Sequence, residues 1–309
     1  MKVRLGIGVS TLPVTTARAF FDWVELCERS DIDSLWQTDR LVSGQPFLES
    51  LSVMATLAGA TERLKFGMNA VVAPLRDPLV LAKQCATIDW LSKGRLLPVF
   101  GVGGERAPEF AATGFDPKER GRRADEVLEL CSRLWSEEKV DFAGKFYRYE
   151  GVSISPRPVQ QPLPLWIGGS SPAAIKRTVR LGTGWLGGIQ TPAQVGPVVA
   201  AIKALGAESG RPIPEDHFGA SFAFRLGPLD DSLVARAFAA RARAAGAEFD
   251  PKAYFALGEP AAVLERIAQY RAVGVSKFVL IPIAQDERDL VDQTRRLTAE
   301  VVPAAHAWT

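Results

Sequence analysis

Five consecutive residues, Gly168-Gly169-Ser170-Ser171-Pro172, carry the strongest chemical signal in the chain. They follow a short apolar run, Leu165–Ile167, and open a helical pattern. Two glycines let the backbone come close to whatever sits above the strand end. Free N–H groups, two hydroxyls and the positive end of a helix dipole together attract an anion. Pro172 suits a first helical position, where its missing N–H costs nothing. The pattern predicts a grip on a phosphate-bearing cofactor at the C-terminal end of a parallel strand. A plain glycine turn with a capping serine is the competing reading.

The other strand ends are short of acids and bases. Gly8 ends the first apolar run. Asp39 is the only early carboxylate at a strand end, either a catalytic group or a cap for the next loop. Arg40 beside it could bind an anionic substrate or a ligand carbonyl, or pair with Asp39. Asn69, next to Ala70, is polar in an apolar strand end, which calls for a buried hydrogen bond. Gly101, Gly103 and Gly104 form a loop that admits a flat ligand. Glu105 and Glu109 are either site carboxylates or solvated. Trp166 and Trp185 could wall a pocket or fill the core. Apolar walls, a phosphate grip and few titratable groups suit a cofactor that carries its own chemistry, as flavins do.

These positions need a scaffold that gathers strand ends. Strand-like runs at Val3–Val9, Ser34–Gln37, Leu64–Val72, Arg95–Phe100, Leu165–Ile167, Gly184–Leu186, Phe218–Leu226 and Lys277–Ile283 alternate with helical patterns. Thr191-Pro192-Ala193-Gln194 spells a capping box. Eight βα pairs predict an α/β fold, a (β/α)8 TIM barrel, as a single domain over residues 1–309. A doubly wound sheet would carry its glycine fingerprint after the first strand, where Gly6-Ile7-Gly8-Val9-Ser10 lacks it. Two insertions near the C-terminal face interrupt the rhythm. One, at about 138–164, reads as a hairpin or lid; the other, at about 228–257, is helical around Asp230–Ala247.

Thirty-seven Lys+Arg against 35 Asp+Glu give a net charge of +2 with no basic run, so neither nucleic acid nor an anionic membrane is an expected partner. Three scattered cysteines and two isolated histidines exclude a disulfide framework and disfavour a metal cluster or a His-based triad. With no signal-peptide pattern and no apolar run of about 18 residues, the expected location is cytoplasmic.

Several blocks together resemble the bacterial-luciferase-like family of flavin- and deazaflavin-dependent oxidoreductases. They are Asp33–Asp39 (DSLWQTD), Thr61–Gly67 (TERLKFG), Pro74–Gln84 (PLRDPLVLAKQ), Ala86–Arg95 (ATIDWLSKGR), Arg120–Glu126 (RGRRADE), Pro156–Gln160 (PRPVQ) and Trp166–Ser171 (WIGGSS). The similarity is clear from about residue 3 to 190 and weaker beyond. It implies a barrel with reduced flavin over the strand ends, its phosphate near Gly168, Gly169, Ser170 and Ser171. Gly8, Asn69, Ala70, Gly101, Gly103, Gly104 and Trp185 would surround the cofactor, and Asp39, Arg40 and Asn69 would be the catalytic group. A non-proline cis peptide is implied at about Asn69–Ala70, and a homodimer is implied for the assembly.

The expected activity is a monooxygenase using reduced FMN and dioxygen on a small organic substrate, with a flavin reductase as a candidate partner. The alternatives are hydride transfer with the deazaflavin coenzyme F420 (8-hydroxy-5-deazaflavin) and a non-catalytic flavin-binding subunit. Two departures stand out. Arg40 occupies the place where relatives often carry a histidine. The Gly101–Arg106 loop is one residue shorter than the usual pattern.

Overall fold

The computed structural model describes residues 1–9, 11–228, 232–233, 235–237, 239 and 251–308. In chain order the strands are β1 Arg4–Val9, β2 Ser34–Gln37, β3 Lys65–Val72, β4 Leu96–Gly101, β5 Val140–Ala143, β6 Arg148–Val152, β7 Trp166–Gly168, β8 Gly184–Ile189, β9 Phe218–Leu226, β10 Phe255–Gly258 and β11 Lys277–Pro282. The helices are α1 Ala17–Glu28, α2 Ser50–Ala60, α3 Pro78–Leu91, α4 Pro108–Thr113, α5 Arg120–Ser136, α6 Pro172–Leu181, α7 Pro192–Glu208, α8 Pro251–Tyr254, α9 Pro260–Ala272, α10 Glu287–Arg296 and α11 Val302–His306. Strands β1, β2, β3, β4, β7, β8, β9 and β11 pair in parallel and close into a ring through β8–β9 and β11–β1. The fold is the expected (β/α)8 barrel.

Alternation along each strand divides the apolar residues into two layers. Outward residues such as Leu5, Ile7, Leu35, Phe66, Phe100, Ile167, Phe222 and Phe278 pack under the helices in one large core. Inward residues Trp36, Val99, Leu186 and Val279 form a separate cluster inside the barrel. The intervening inward positions are mostly glycine or small.

Local signals set the helix ends. Asp77 caps α3 by accepting from the Leu79 and Val80 N–H groups, both at 3.0 Å. Thr191 and Gln194 form the capping box that starts α7. The antiparallel β5–β6 hairpin lies along α5, its turn held by Glu126, which accepts from the Lys145, Phe146 and Tyr147 N–H groups. The expected Asp230–Ala247 helix falls largely outside the described residues.

The strand β10 straddles the end of the span that reads as a helical insertion, where the sequence gives no strand signal. Strand β9 runs to nine residues, and β8 pairs only as far as Ser221. The edge from Ala223 to Leu226 is left open there, and β10 fills it. Strand β8 also extends to Ile189, past the expected Leu186: Gly187 pairs with Ala220 and, after a register shift, Ile189 pairs with Ser221.

The Arg95 guanidinium fastens the bottom of β4 to its neighbours. It donates to the carbonyls of Ala58, Thr61 and Leu64 at 3.0, 2.6 and 2.8 Å and to its own loop at Ser92 O. Arg95→Leu would strand several partly buried acceptors. The expected loss is about 2–4 kcal/mol of unfolding free energy in a denaturant titration, at unchanged m-value.

Candidate active site

The C-terminal ends of the strands form a floor made almost entirely of backbone. A Cβ built on Gly101 would stand 3.6 Å from the Ala70 Cβ, and one on Gly168 would stand 3.8 Å from it. Three strands, β3, β4 and β7, therefore meet there with one methyl group between them. The Asn69–Ala70 peptide is cis, as the resemblance implied, and β3 shifts register against β4 between Met68 and Val71. The Asn69 amide donates across the barrel to Ser221 Oγ at 2.8 Å. Gly8 sits lower and is packed: a Cβ there would lie 2.7 Å from Val279. Gly103 takes φ +71° beside Val72, while Gly104 faces open space.

The glycine–serine turn borders this floor. Gly169 adopts φ +103°, which only glycine does freely. Ser171 is the N-cap of α6, its hydroxyl oxygen accepting from the Ala174 N–H at 3.2 Å. Its own O–H remains to donate. With Pro172 lacking an N–H, the Ala173 N–H is the first-turn donor left over. The Ser170 hydroxyl instead donates to Gln190 Oε1 at 2.7 Å. Gln190 belongs to the loop after β8, and nothing in the local sequence announces this pairing.

Trp185 does not wall the pocket. It lies on the outward phase of β8, fully buried, and its indole N–H donates to Gly169 O at 2.8 Å. It braces the turn from behind. Trp166 does face inward, beside Leu97 and Leu186.

The charged residues pair differently from the neighbour-to-neighbour reading. Asp39 accepts from Ser50 Oγ at 2.9 Å, the Val72 N–H at 3.0 Å and Arg76 at 2.8 Å. It ties α2 and the end of β3 to the loop after β2. Arg40 pairs with Glu109 of α4 at 3.2 Å, not with Asp39, because Arg76 has already taken that carboxylate. Burial alone would push the Glu109 carboxyl up. Hydrogen bonds from its own N–H, from Arg40 and from Val42, with the Arg40 charge, outweigh it and hold the group below the ordinary glutamate value. Glu105 is solvated and pairs with Arg120.

Arg225 is an inward residue near the end of β9. It donates to Ile283 O and to Asp289 at 2.7 Å, and its buried Nε has no partner among the described residues. Asn69, Ala70, Gly101 and Gly168 are thus brought together, with the turn at one side and the Arg40–Glu109 and Arg225–Asp289 pairs at the strand ends. Among the described residues, no group of three or more His, Cys, Asp or Glu side chains could hold a metal ion. No described helix is long and apolar enough to cross a membrane.

A flat floor beside a helix N-terminus at the strand ends of a (β/α)8 barrel is the arrangement the structure shows, and comparison with known proteins identifies the family. The luciferase-like monooxygenase family model matches residues 2–277, and the chain belongs to that family. An uncharacterized protein of Mycobacterium tuberculosis is 32% identical over 174 residues, 56% of this chain and 59% of that protein. An F420-dependent glucose-6-phosphate dehydrogenase of Kineococcus radiotolerans is 30% identical over 174 residues, 53% of this chain and 50% of that enzyme. An FMNH(2)-dependent dimethylsulfone monooxygenase of Pseudomonas putida is 37% identical over 130 residues, covering 41% and 35%. The chain thus spans about half the length of these relatives, or less. A crystal structure of a monooxygenase from Streptomyces bottropensis superposes with a TM-score of 0.82 over 97% of this chain and 99% of that one, at 22% identity.

The Arg40–Glu109 pair makes a pH-dependent prediction. In the native protein the lowered Glu109 value adds stability above the ordinary 4.5, and that stability is lost as pH falls through the folded value. Arg40→Met leaves the buried carboxylate with burial dominant, so its value rises. The variant should be less stable than the parent at neutral pH. Thermal unfolding should show the gap narrowing as the medium is acidified towards 4.5.

Proposed function

We propose that this chain is a flavin-dependent monooxygenase that binds reduced FMN over the Ala70, Gly101 and Gly168 floor and uses dioxygen to oxygenate a small organic substrate. The observation that carries this reading is the state of the charged groups. Asp39, Glu109 and Asp289 are each committed to an arginine, so these carboxylates are not free to trade protons with a substrate. Chemistry at such a site has to come from the bound group. Reduced flavin supplies the electrons with which dioxygen is activated.

The protein's own contribution is binding, orientation and exclusion of water. The bare floor accepts a planar ring. Asn69, fixed by Ser221, offers its amide to that ring. Ser171 O–H, the Ala173 N–H and the positive end of α6 hold the phosphate. Arg40 keeps an exposed flank beside its Glu109 contact and can reach a substrate or a ring carbonyl. A guanidinium offers only donors, so Arg40 serves as an electrostatic anchor, not as an acid or base. A flavin reductase and a second copy of the chain belong to the same reading as partners.

The deazaflavin reading is favoured by one observation, the similarity to an F420-dependent glucose-6-phosphate dehydrogenase over about half of the chain. Anaerobic titration with reduced FMN and with reduced F420, followed by admission of air, separates the two. The monooxygenase reading expects tight FMN binding and oxygen uptake that depends on it. Selective F420 binding without oxygen uptake would replace it with hydride transfer.

The two serines give a sharper expectation. Ser171→Ala should weaken FMN binding about tenfold or more, the value of one charge-assisted hydrogen bond. Ser170→Ala should have the smaller effect, because that hydroxyl is spent on Gln190. Ser171→Gly, which largely spares the helix cap, controls for lost stability.

A further inference from the structure

The barrel has a second opening. A cavity of about 580 Å³ lies at the N-terminal end, and the first residues of five strands line it: Arg4 of β1, Ser34 of β2, Lys65 of β3, Trp166 of β7 and Lys277 of β11. In a parallel barrel all these positions fall at the end opposite Asn69, Gly101 and Gly168. The inward cluster Trp36, Val99, Leu186 and Val279 lies between the two ends.

The hollow has a cause in the sequence. The inward positions Gly6, Gly67, Gly184 and Gly219 carry no side chain. A Cβ at Gly6 or Gly67 would come within 2.5 Å of the Trp36 ring, and one at Gly184 within 2.3 Å of Trp166. The glycines make room for two indoles, and the cavity lies beside them at the strand starts.

The lining is divided by chemistry. Strands β11, β1 and β3 contribute Lys277, Arg4 and Lys65, and the loops beside them Arg63 with the carboxylates Asp33 and Asp216, so this side is cationic on balance; β4, β7 and β8 contribute Leu97, Val99, Trp166 and Leu186. Arg4 is set by Asp33 at 2.8 Å and Lys277 by Asp216 at 3.4 Å. Lys65 has no acidic partner among the described residues. Ser34 accepts from the Trp36 indole at 2.8 Å and keeps its own O–H to donate.

We propose that this cavity is a second binding site, for a small amphipathic anion: an aliphatic or aromatic carboxylate whose body lies on Trp166, Leu97 and Leu186 and whose charge meets Lys65, Arg4 and the Ser34 hydroxyl. The volume is that of a small-molecule pocket, and a cationic wall facing an apolar one recognises that class and discriminates against neutral or purely polar ligands. The site is independent of the reaction assigned to the other end.

Calorimetric titration of the full chain with octanoate and with naphthoate, at low salt, tests it. One saturable site is expected, with octanol binding at least tenfold more weakly than octanoate. Lys65→Glu, at an exposed position, should weaken octanoate binding tenfold or more and leave flavin affinity unchanged. Leu97→Phe, which fills the apolar half, should abolish octanoate binding; if that variant does not fold, Lys65→Glu decides alone. Absence of saturable binding by either carboxylate would overturn the proposal, as would octanoate affinity unchanged in Lys65→Glu.

Discussion

Two tryptophans inside an eight-stranded barrel impose the constraint on which the rest of the structure depends. Trp36 and Trp166 fill the interior only because the strands beside them are bare at Gly6, Gly67 and Gly184. An ordinary barrel interior is filled by layers of branched side chains. Here one thin layer, Trp36 with Val99, Leu186 and Val279, does that work, and the levels above and below are thinly filled. Above it the backbone itself becomes the surface. Below it a cavity remains.

The upper surface is therefore shaped by main chain and held by polar clamps set back from it. Asp39 gathers three elements on one buried carboxylate. Trp185 braces Gly169 from behind, and Asn69 is pinned by Ser221. The Asp39 and Trp185 clamps use up the groups that make them. A site built this way is well ordered and poor in free acids and bases, which is the environment expected of a protein that leaves the chemistry to its cofactor.

Most of the architecture was legible because it rests on local rules. The strand and helix alternation, the Thr191 capping box, the proline helix starts and the glycine–serine turn are written in neighbouring residues. The blocks that carry the family resemblance turn out to be largely structural. Asp89 is fully buried and accepts from the Gln160 N–H and side-chain amide, joining two of those blocks. Arg95 and Asp77 similarly fix a strand start and a helix start.

The choice of ion-pair partner was not legible: Arg40 turns to Glu109, 69 residues away, because Arg76 occupies Asp39. Nor was the phase of Trp185, since a run of glycines in β8 gives no alternation to read. Strand β10 depended on the open edge of β9, a property of the assembled barrel and not of any local segment.

Gly101→Val tests the central claim, that the bare floor at the strand ends is where the cofactor ring lies. A Cβ at Gly101 meets only the Ala70 methyl, at an ordinary 3.6 Å, and the position is the end of a strand, so the fold should tolerate the change. The measurement is the affinity of the variant for reduced FMN and reduced F420, alongside its thermal unfolding. Near-native stability with loss of binding for both is the predicted result. Undiminished affinity in a folded Gly101→Val protein would contradict the account and move the cofactor elsewhere.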